Sequence, residues 1–272
     1  MHFQKKLKKV IIKNNSLLSI GLDPELDKIP KYHLPLEDPL FEFNKAIIDV
    51  TFDLVCAYKP QIAHYSALGI KGLSSLLKTV SYLKKYHPDI PIILDAKRAD
   101  VGKTSEKYAK EAFDVIGSDA VTVNPYLGLD SIEPFLKYED KGIIILCRTS
   151  NPSASDFQDL MIGNNPLYIH VAKKVVEWDK KYRNCLMVVG ATWPEQLKEI
   201  RKITPEMFFL VPGIGTQGGD LKKTLQYGLT KNRSGLIINS SSAIIYASSE
   251  KNFAQKAREA TEQLRNEINR YR

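Results

Sequence analysis

Short runs of apolar, often β-branched residues recur along the whole chain, and between them lie longer stretches whose apolar positions repeat every three or four residues. The runs are LLSIGLDP (17–24), LVCAYKPQ (54–61), PIILDAKR (91–98), AVTVNPY (120–126), GIIILCRTS (142–150), CLMVVGAT (185–192), MFFLVPGIG (207–215) and GLIINSSS (235–242), eight in all. Such alternation predicts a parallel sheet covered by helices. The amphipathic stretches FEFNKAIIDVTFDL, SSLLKTVSYLKKY, SEKYAKEAFDVI and PLYIHVAKKVVEWDKKY supply the covering faces. An open doubly wound sheet usually has fewer strands and a glycine-rich dinucleotide turn after the first, whereas GLDPEL has neither GxGxxG nor a helix start. The pattern therefore predicts an α/β fold of the closed (β/α)8 TIM-barrel kind. The final segment, NFAQKAREATEQLRNEINRYR, reads as a charged amphipathic helix on the outside of the barrel. No Pro/Gly/Ser-rich linker interrupts the chain, so residues 1–272 are expected to form a single barrel domain.

Most of the runs begin apolar and turn polar at the end. In this fold the carboxyl ends of the strands form the active-site face, so Asp23, Lys59, Asp95, Lys97, Asn124, Ser150 and Asn239 are expected at one mouth. The densest chemistry is Asp95-Ala-Lys97-Arg98-Ala-Asp100. On a strand Asp95 and Lys97 point to the same side, and Asp100 follows in the loop, so that two carboxylates bracket one ammonium. With Lys59 from the second strand beside them, the set becomes an alternating network of four charges, a costly thing to build for stability alone. Each string by itself also has a plain reading, a solvated charge run or a strand-end lysine reaching water. Their joint position favours a site. The string Val211-Pro-Gly-Ile-Gly-Thr-Gln-Gly-Gly-Asp220, which opens the helical segment LKKTLQY, suits a phosphate cradle after the seventh strand; a simple glycine-rich turn is the alternative.

Composition narrows the field further. The chain is 43% apolar over 272 residues but has no apolar run of 18, and MHFQKKLKKVIIKNN lacks a signal-peptide core, so a cytoplasmic protein with no membrane partner is expected. Cys56, Cys147 and Cys185 lie in apolar runs without CxxC spacing and read as buried thiols. A formal charge of +8 suits anionic ligands in general, but no nucleic-acid recognition motif is present and no nucleic-acid partner is expected. His2, His33, His64, His87 and His170 lack metal-ligand spacing and are expected at the surface or in the core, and no metal is expected. Neither GxSxG nor GxxxxGK[ST] occurs. Trp178 and Trp193 are expected to pack.

GLDP, YKPQ, LDAKRADVGKT, VNPYLG, CRTSNPS, PGIGTQGGD and NSSSAIIYA occur in this order from about residue 17 to 250. Together they resemble the orotidine 5′-monophosphate decarboxylase family, in particular its longer bacterial branch. The resemblance implies a carboxy-lyase of pyrimidine biosynthesis that converts orotidine monophosphate to UMP and carbon dioxide without a cofactor. It implies that Lys97 protonates C6 of the pyrimidine, that Asp95 faces the substrate carboxylate, and that Lys59 and Asp100 flank the network. Asp100, Val101 and Thr104 would reach into the site of a partner subunit, making the enzyme a homodimer with shared active sites. Asp23 would bind the ribose and Ser150 the pyrimidine, Pro212 would touch the substrate, and Gln217 with the backbone from Gly215 through Gly218 to Gly219 would grip the phosphate. One position departs from the family: Ser242 stands where an arginine pairs with the phosphate. Either the serine was introduced by mutation, or Arg233 or another cation compensates, or the chain is a nucleotide-binding barrel with impaired turnover. A magnesium-dependent sugar-phosphate decarboxylase or aldolase of the same barrel group shares the Asp-x-Lys-x-x-Asp string, but Lys59 in YKPQ and the TSNPS segment suit a pyrimidine nucleotide.

Overall fold

The computed structural model describes residues 2–214 and 218–272. Eight parallel strands form the centre: β1 Leu18–Gly21, β2 Ala57–Lys59, β3 Ile93–Arg98, β4 Ala120–Val123, β5 Gly142–Arg148, β6 Cys185–Val189, β7 Phe209–Val211 and β8 Leu236–Ser240. They lie side by side in the order β2-β1-β8-β7-β6-β5-β4-β3. The ring closes between β2 and β3, where Tyr58 bridges Ile92 and Gln61 bridges Asp95. All eight expected strands are present. They are shorter than the apolar runs because their last residues leave the sheet to build the loops of the mouth.

The helices that cover the barrel are α1 Phe3–Lys13, α2 Pro39–Thr51, α3 Ile62–Ser66, α4 Gly69–Tyr86, α5 Gly102–Lys110, α6 Leu129–Leu136, α7 Leu167–Tyr182, α8 Pro194–Ile203, α9 Leu221–Gly228, α10 Ser242–Ile245 and α11 Phe253–Tyr271. Their inward faces are apolar at helical spacing; α7, for example, buries Tyr168, Ile169, Ala172, Val175 and Trp178. The stretch read as one helix over SEKYAKEAFDVI is α5 followed by a π-helical turn, Glu111–Val115, where Glu111 receives both Nε and Nη2 of Arg98 at 3.1 Å.

Helix α1 was not expected from the sequence. Its buried Phe3, Leu7, Val10 and Ile11 recur at helical spacing beneath a surface of lysines. It covers the amino ends of the strands: Phe3 N donates to Asp140 O at 2.8 Å, just before β5, and Lys6 pairs with Asp119 at 2.9 Å, just before β4. The barrel is thus closed at one end and open at the other. The three cysteines are buried and free, and burial pushes the Cys56 and Cys147 thiols up to about 12.

Candidate active site

A cavity of about 550 Å³ opens at the carboxyl ends of the strands, a size suited to a small ligand. Lys59, Asp95 and Lys97 line it. Asp95 is 9% exposed and sits between the two ammonium groups, with Oδ2 accepting from Lys59 Nζ at 3.0 Å and Oδ1 from Lys97 Nζ at 2.6 Å. Burial alone would raise the Asp95 pKa, but Lys59 and Lys97 reverse that and hold it far below the usual carboxylate range. Burial likewise works against a charged Lys59, but Asp95 and then Asp23 outweigh it and raise its pKa above the ordinary lysine value. The side chain of Lys59 is 5% exposed and that of Lys97 is 44% exposed, so Lys97 offers the accessible ammonium.

The local chain path differs from a simple alternating strand. The β3–β4 register shifts between Leu94 and Arg98, and Lys97 has a positive φ of 48°. A non-glycine residue in that region is strained. Thr122 of β4 supports it: its Oγ1 accepts from Ala96 N at 3.0 Å and Lys97 N at 2.9 Å, and donates to Asp95 Oδ1 at 2.8 Å. The bulge, rather than regular two-residue spacing, turns the Lys97 ammonium back onto Asp95. Within one chain three members of the expected alternating network meet, with the Asp95 carboxylate held between the Lys59 and Lys97 ammonium groups. Asp100 lies past the strand end, where Oδ1 accepts from Val101 N at 2.7 Å. It does not line the cavity, and neither do Val101 and Thr104, both exposed on the adjoining loop and α5.

At another wall, Asp23 Oδ1 accepts from Gln61 N at 3.0 Å and Oδ2 from Ser241 Oγ at 2.8 Å. This approach requires a glycine at position 21. A Cβ there would lie 2.7 Å from Ser241 Oγ and 2.8 Å from Asp23 Oδ2. Ser242 follows at the start of α10 and lines the cavity with Ser240 and Ala243. Among the described residues, Lys59 and Lys97 are the lysine or arginine side chains of the lining, so this wall carries no cation of its own. Arg233 does not supply one: it precedes β8, at the amino end of the barrel, and lines a separate cavity with Lys222, Thr230, Lys231 and Tyr271.

Ser150 lines the cavity from the loop after β5. That loop is anchored by Arg148, which is fully buried, forks onto both carboxylate oxygens of Asp159 at 2.9 Å and stacks 4.3 Å from the Trp193 ring centre. Gln158 accepts from Thr149 N at 2.8 Å, and Thr192 Oγ1 donates to Ser150 O at 3.0 Å. A Cβ at Gly190 would lie 2.7 Å from Ser150 Cα, so glycine permits the close approach of β6's end.

The structure brings together Asp23, Lys59, Asp95, Lys97, Ser150, Pro212, Asn239 and Ser242 around one cavity. Asn124 is elsewhere, because its Oδ1 accepts from Tyr126 N at 3.1 Å and caps the turn after β4. Gly218 does not line the cavity, and Gly215 and Gln217 lie outside the described residues. His64, expected at the surface or in the core, lines the cavity instead. Sequence reasoning missed Thr122, Gln158 and Ser241. Thr122 had a signal, a lone hydroxyl inside the apolar run AVTV; Gln158 and Ser241 act through loop contacts that no spacing reveals.

The sequence profile of the Orotidine 5′-phosphate decarboxylase / HUMPS family matches residues 16–257. The chain is 53% identical over 271 residues to the orotidine 5′-phosphate decarboxylase of Cellvibrio japonicus, covering 99% of this chain and 98% of that one. It is 48% identical over 271 residues to that of Janthinobacterium sp., covering 100% and 99%. The OMP decarboxylase of Leishmania donovani has a similar structure, with a TM-score of 0.88 and 34% identity over 100% of this chain and 99% of that one. The UMP synthase of the same organism gives 0.89 and 36%, with this chain spanning 56% of the longer one. Among the described residues, no helix is long and apolar enough to cross a membrane. By its sequence, its barrel and these relatives, the chain belongs to the orotidine 5′-phosphate decarboxylase / HUMPS family.

Proposed function

We propose that this protein decarboxylates orotidine 5′-monophosphate to UMP and carbon dioxide. The observation that carries the reading is the Lys59–Asp95–Lys97 cluster at the open mouth of the barrel, in a chain 53% identical to a decarboxylase. The C6–carboxylate bond of the pyrimidine breaks and its electron pair stays on C6. The fixed Lys97 ammonium stabilises that carbanion and transfers a proton from Nζ to C6, and Lys97 regains a proton from water. Asp95, kept ionised by its two lysines, faces the substrate carboxylate. Lys59 orients Asp95 and closes the network against the ribose, which Asp23 also binds. Ser150 reads the pyrimidine, and Pro212 lines the cavity where the phosphate is held, with Gly215, Gln217 and Gly218 assigned to the phosphate by resemblance alone. No cofactor enters this chemistry. A magnesium-dependent sugar-phosphate reaction is disfavoured by the donor set, since the central carboxylate is already taken by two ammonium groups.

The proposal extends to a cytoplasmic homodimer in which the 272 residues act as one domain and Asp100, Val101 and Thr104 complete the partner's site. Two features support the dimer. These three residues stand outside their own cavity, and Val101, Tyr126, Phe157 and Met161 expose large apolar surface on the neighbouring loops. The wall around Ser242 binds phosphate through neutral groups, with turnover retained at higher substrate concentration. The direct test is loss of the orotate absorbance with release of carbon dioxide, and no turnover at saturating orotidine monophosphate would refute the reading.

A further inference from the structure

Asp23 is held from three directions, and two of the holders come from the same short segment after β8. Ser241 Oγ donates to its Oδ2 at 2.8 Å, Tyr246 OH donates to its backbone oxygen at 3.0 Å, and Gln61 N donates to its Oδ1 at 3.0 Å. Tyr246 OH also accepts from Glu25 N at 2.8 Å, so one phenol clasps both sides of the turn after β1. Its ring stacks on Phe43 of α2, 6.0 Å between centres, which fixes the clasp to the barrel wall. Among the described residues each carboxylate oxygen of Asp23 has one donor and keeps lone-pair capacity for a ligand in the cavity.

We infer that Ser241 and Tyr246 are positioning residues that set the carboxylate of Asp23 for the substrate's ribose. The segment Ser240–Tyr246 would thereby couple two walls of the cavity, the one that carries Ser242 and the one that carries Asp23. The inference rests on the proposed reaction, in which Asp23 is a ribose ligand. A ribose contact is made equally in the bound substrate and the transition state, so loosening it acts on KM more than on kcat.

The test is a cycle in the full-length protein. Ser241→Ala is expected to raise KM for orotidine monophosphate about tenfold while kcat changes less than about threefold, and Tyr246→Phe to act in the same direction. In an Asp23→Ala background, Ser241→Ala should change KM less than about twofold, because the group it positions is gone. Equal effects in both backgrounds, or no effect in either, would overturn the inference. A crystal structure of substrate-free Ser241→Ala provides a readout that does not depend on the reaction. The Asp23 carboxylate is expected to leave its single orientation, and an unmoved carboxylate refutes the lock. Absence of decarboxylation by the unmodified protein would remove the functional reading, and that crystal structure would still decide whether Ser241 sets Asp23.

Discussion

Replacing Thr122 by valine removes one hydroxyl and nearly no volume, yet the structure gives that hydroxyl three tasks. It accepts from the backbone N–H groups of Ala96 and Lys97 and donates to Asp95 Oδ1. An enclosed N–H left without a partner costs about 1–3 kcal/mol, and a hydrogen bond to a charged group contributes about 1.5–3 kcal/mol. Lys97 is 44% exposed, so water reaches part of the bulge and the sum is discounted. A net loss of roughly 3 kcal/mol remains, which for a chain of this size lowers the melting midpoint by roughly 6–12 °C. The larger effect is on the reaction. Lys97 holds its positive φ of 48° because both neighbouring N–H groups are bound, and without them the ammonium drifts from its place against Asp95. A displacement of an ångström at a reacting group lowers the rate by about a hundredfold. Thermal denaturation and steady-state decarboxylation of Thr122→Val measure the two effects, with Thr122→Ser as the control that restores the hydroxyl and both properties. A Thr122→Val protein within 2 °C and threefold in kcat of the unmodified one, limits well inside the roughly 6–12 °C and hundredfold expected, would refute the reasoning.

Other outcomes follow from the same geometry. Ser242→Arg places a cation at a wall that has none among the described residues and should lower KM at least about tenfold, the lower end of a charge-assisted contact; unchanged KM and kcat would show that the phosphate does not reach that wall. Asp95 has a folded pKa below its unfolded value, so the stability it contributes is complete above about pH 5 and is lost as pH falls from about 4 toward the depressed value. Lys59 has the opposite sign: its raised folded pKa gives stability that is complete below the ordinary lysine value and lost as pH rises through the raised one. The stability gap between the unmodified protein and Asp95→Asn should therefore be flat from pH 6 to 8 and narrow in acid; a gap that widens below pH 4 contradicts the assignment. Mixing Lys97→Ala and Asp100→Ala subunits should recover about one quarter of the normal number of active sites, since half the dimers are mixed and each has one intact site. No recovery, with exchange of subunits demonstrated, would place Asp100 in its own chain's site.

The barrel was legible because its signals are local. Eight β-branched runs alternating with helical periodicities admit few architectures, and the polar ends of those runs mark Asp23, Lys59, Asp95 and Ser150 for the mouth. Helix α1 escaped because its four buried residues are interleaved with lysines, and only the open amino end of the barrel gives that apolar stripe something to cover. Asn124 misled for a related reason: a polar residue at a strand end serves equally well as a turn cap, and its Oδ1 took the nearby N–H of Tyr126.

The order and type of side chains along β2 and β3 by themselves determined that Lys59, Asp95 and Lys97 would stand near one mouth, with Asp100 expected in the loop beyond. Which carboxylate lies between which ammonium groups was decided only in three dimensions. A bulge held by a threonine of the next strand turns Lys97 onto Asp95, and a glycine at position 21 lets Ser241, 218 residues from Asp23 in sequence, close on its carboxylate. Periodicity reports which face a residue occupies. Hydrogen bonds between loops depend on close approach of distant segments, and that is a property of the assembled barrel.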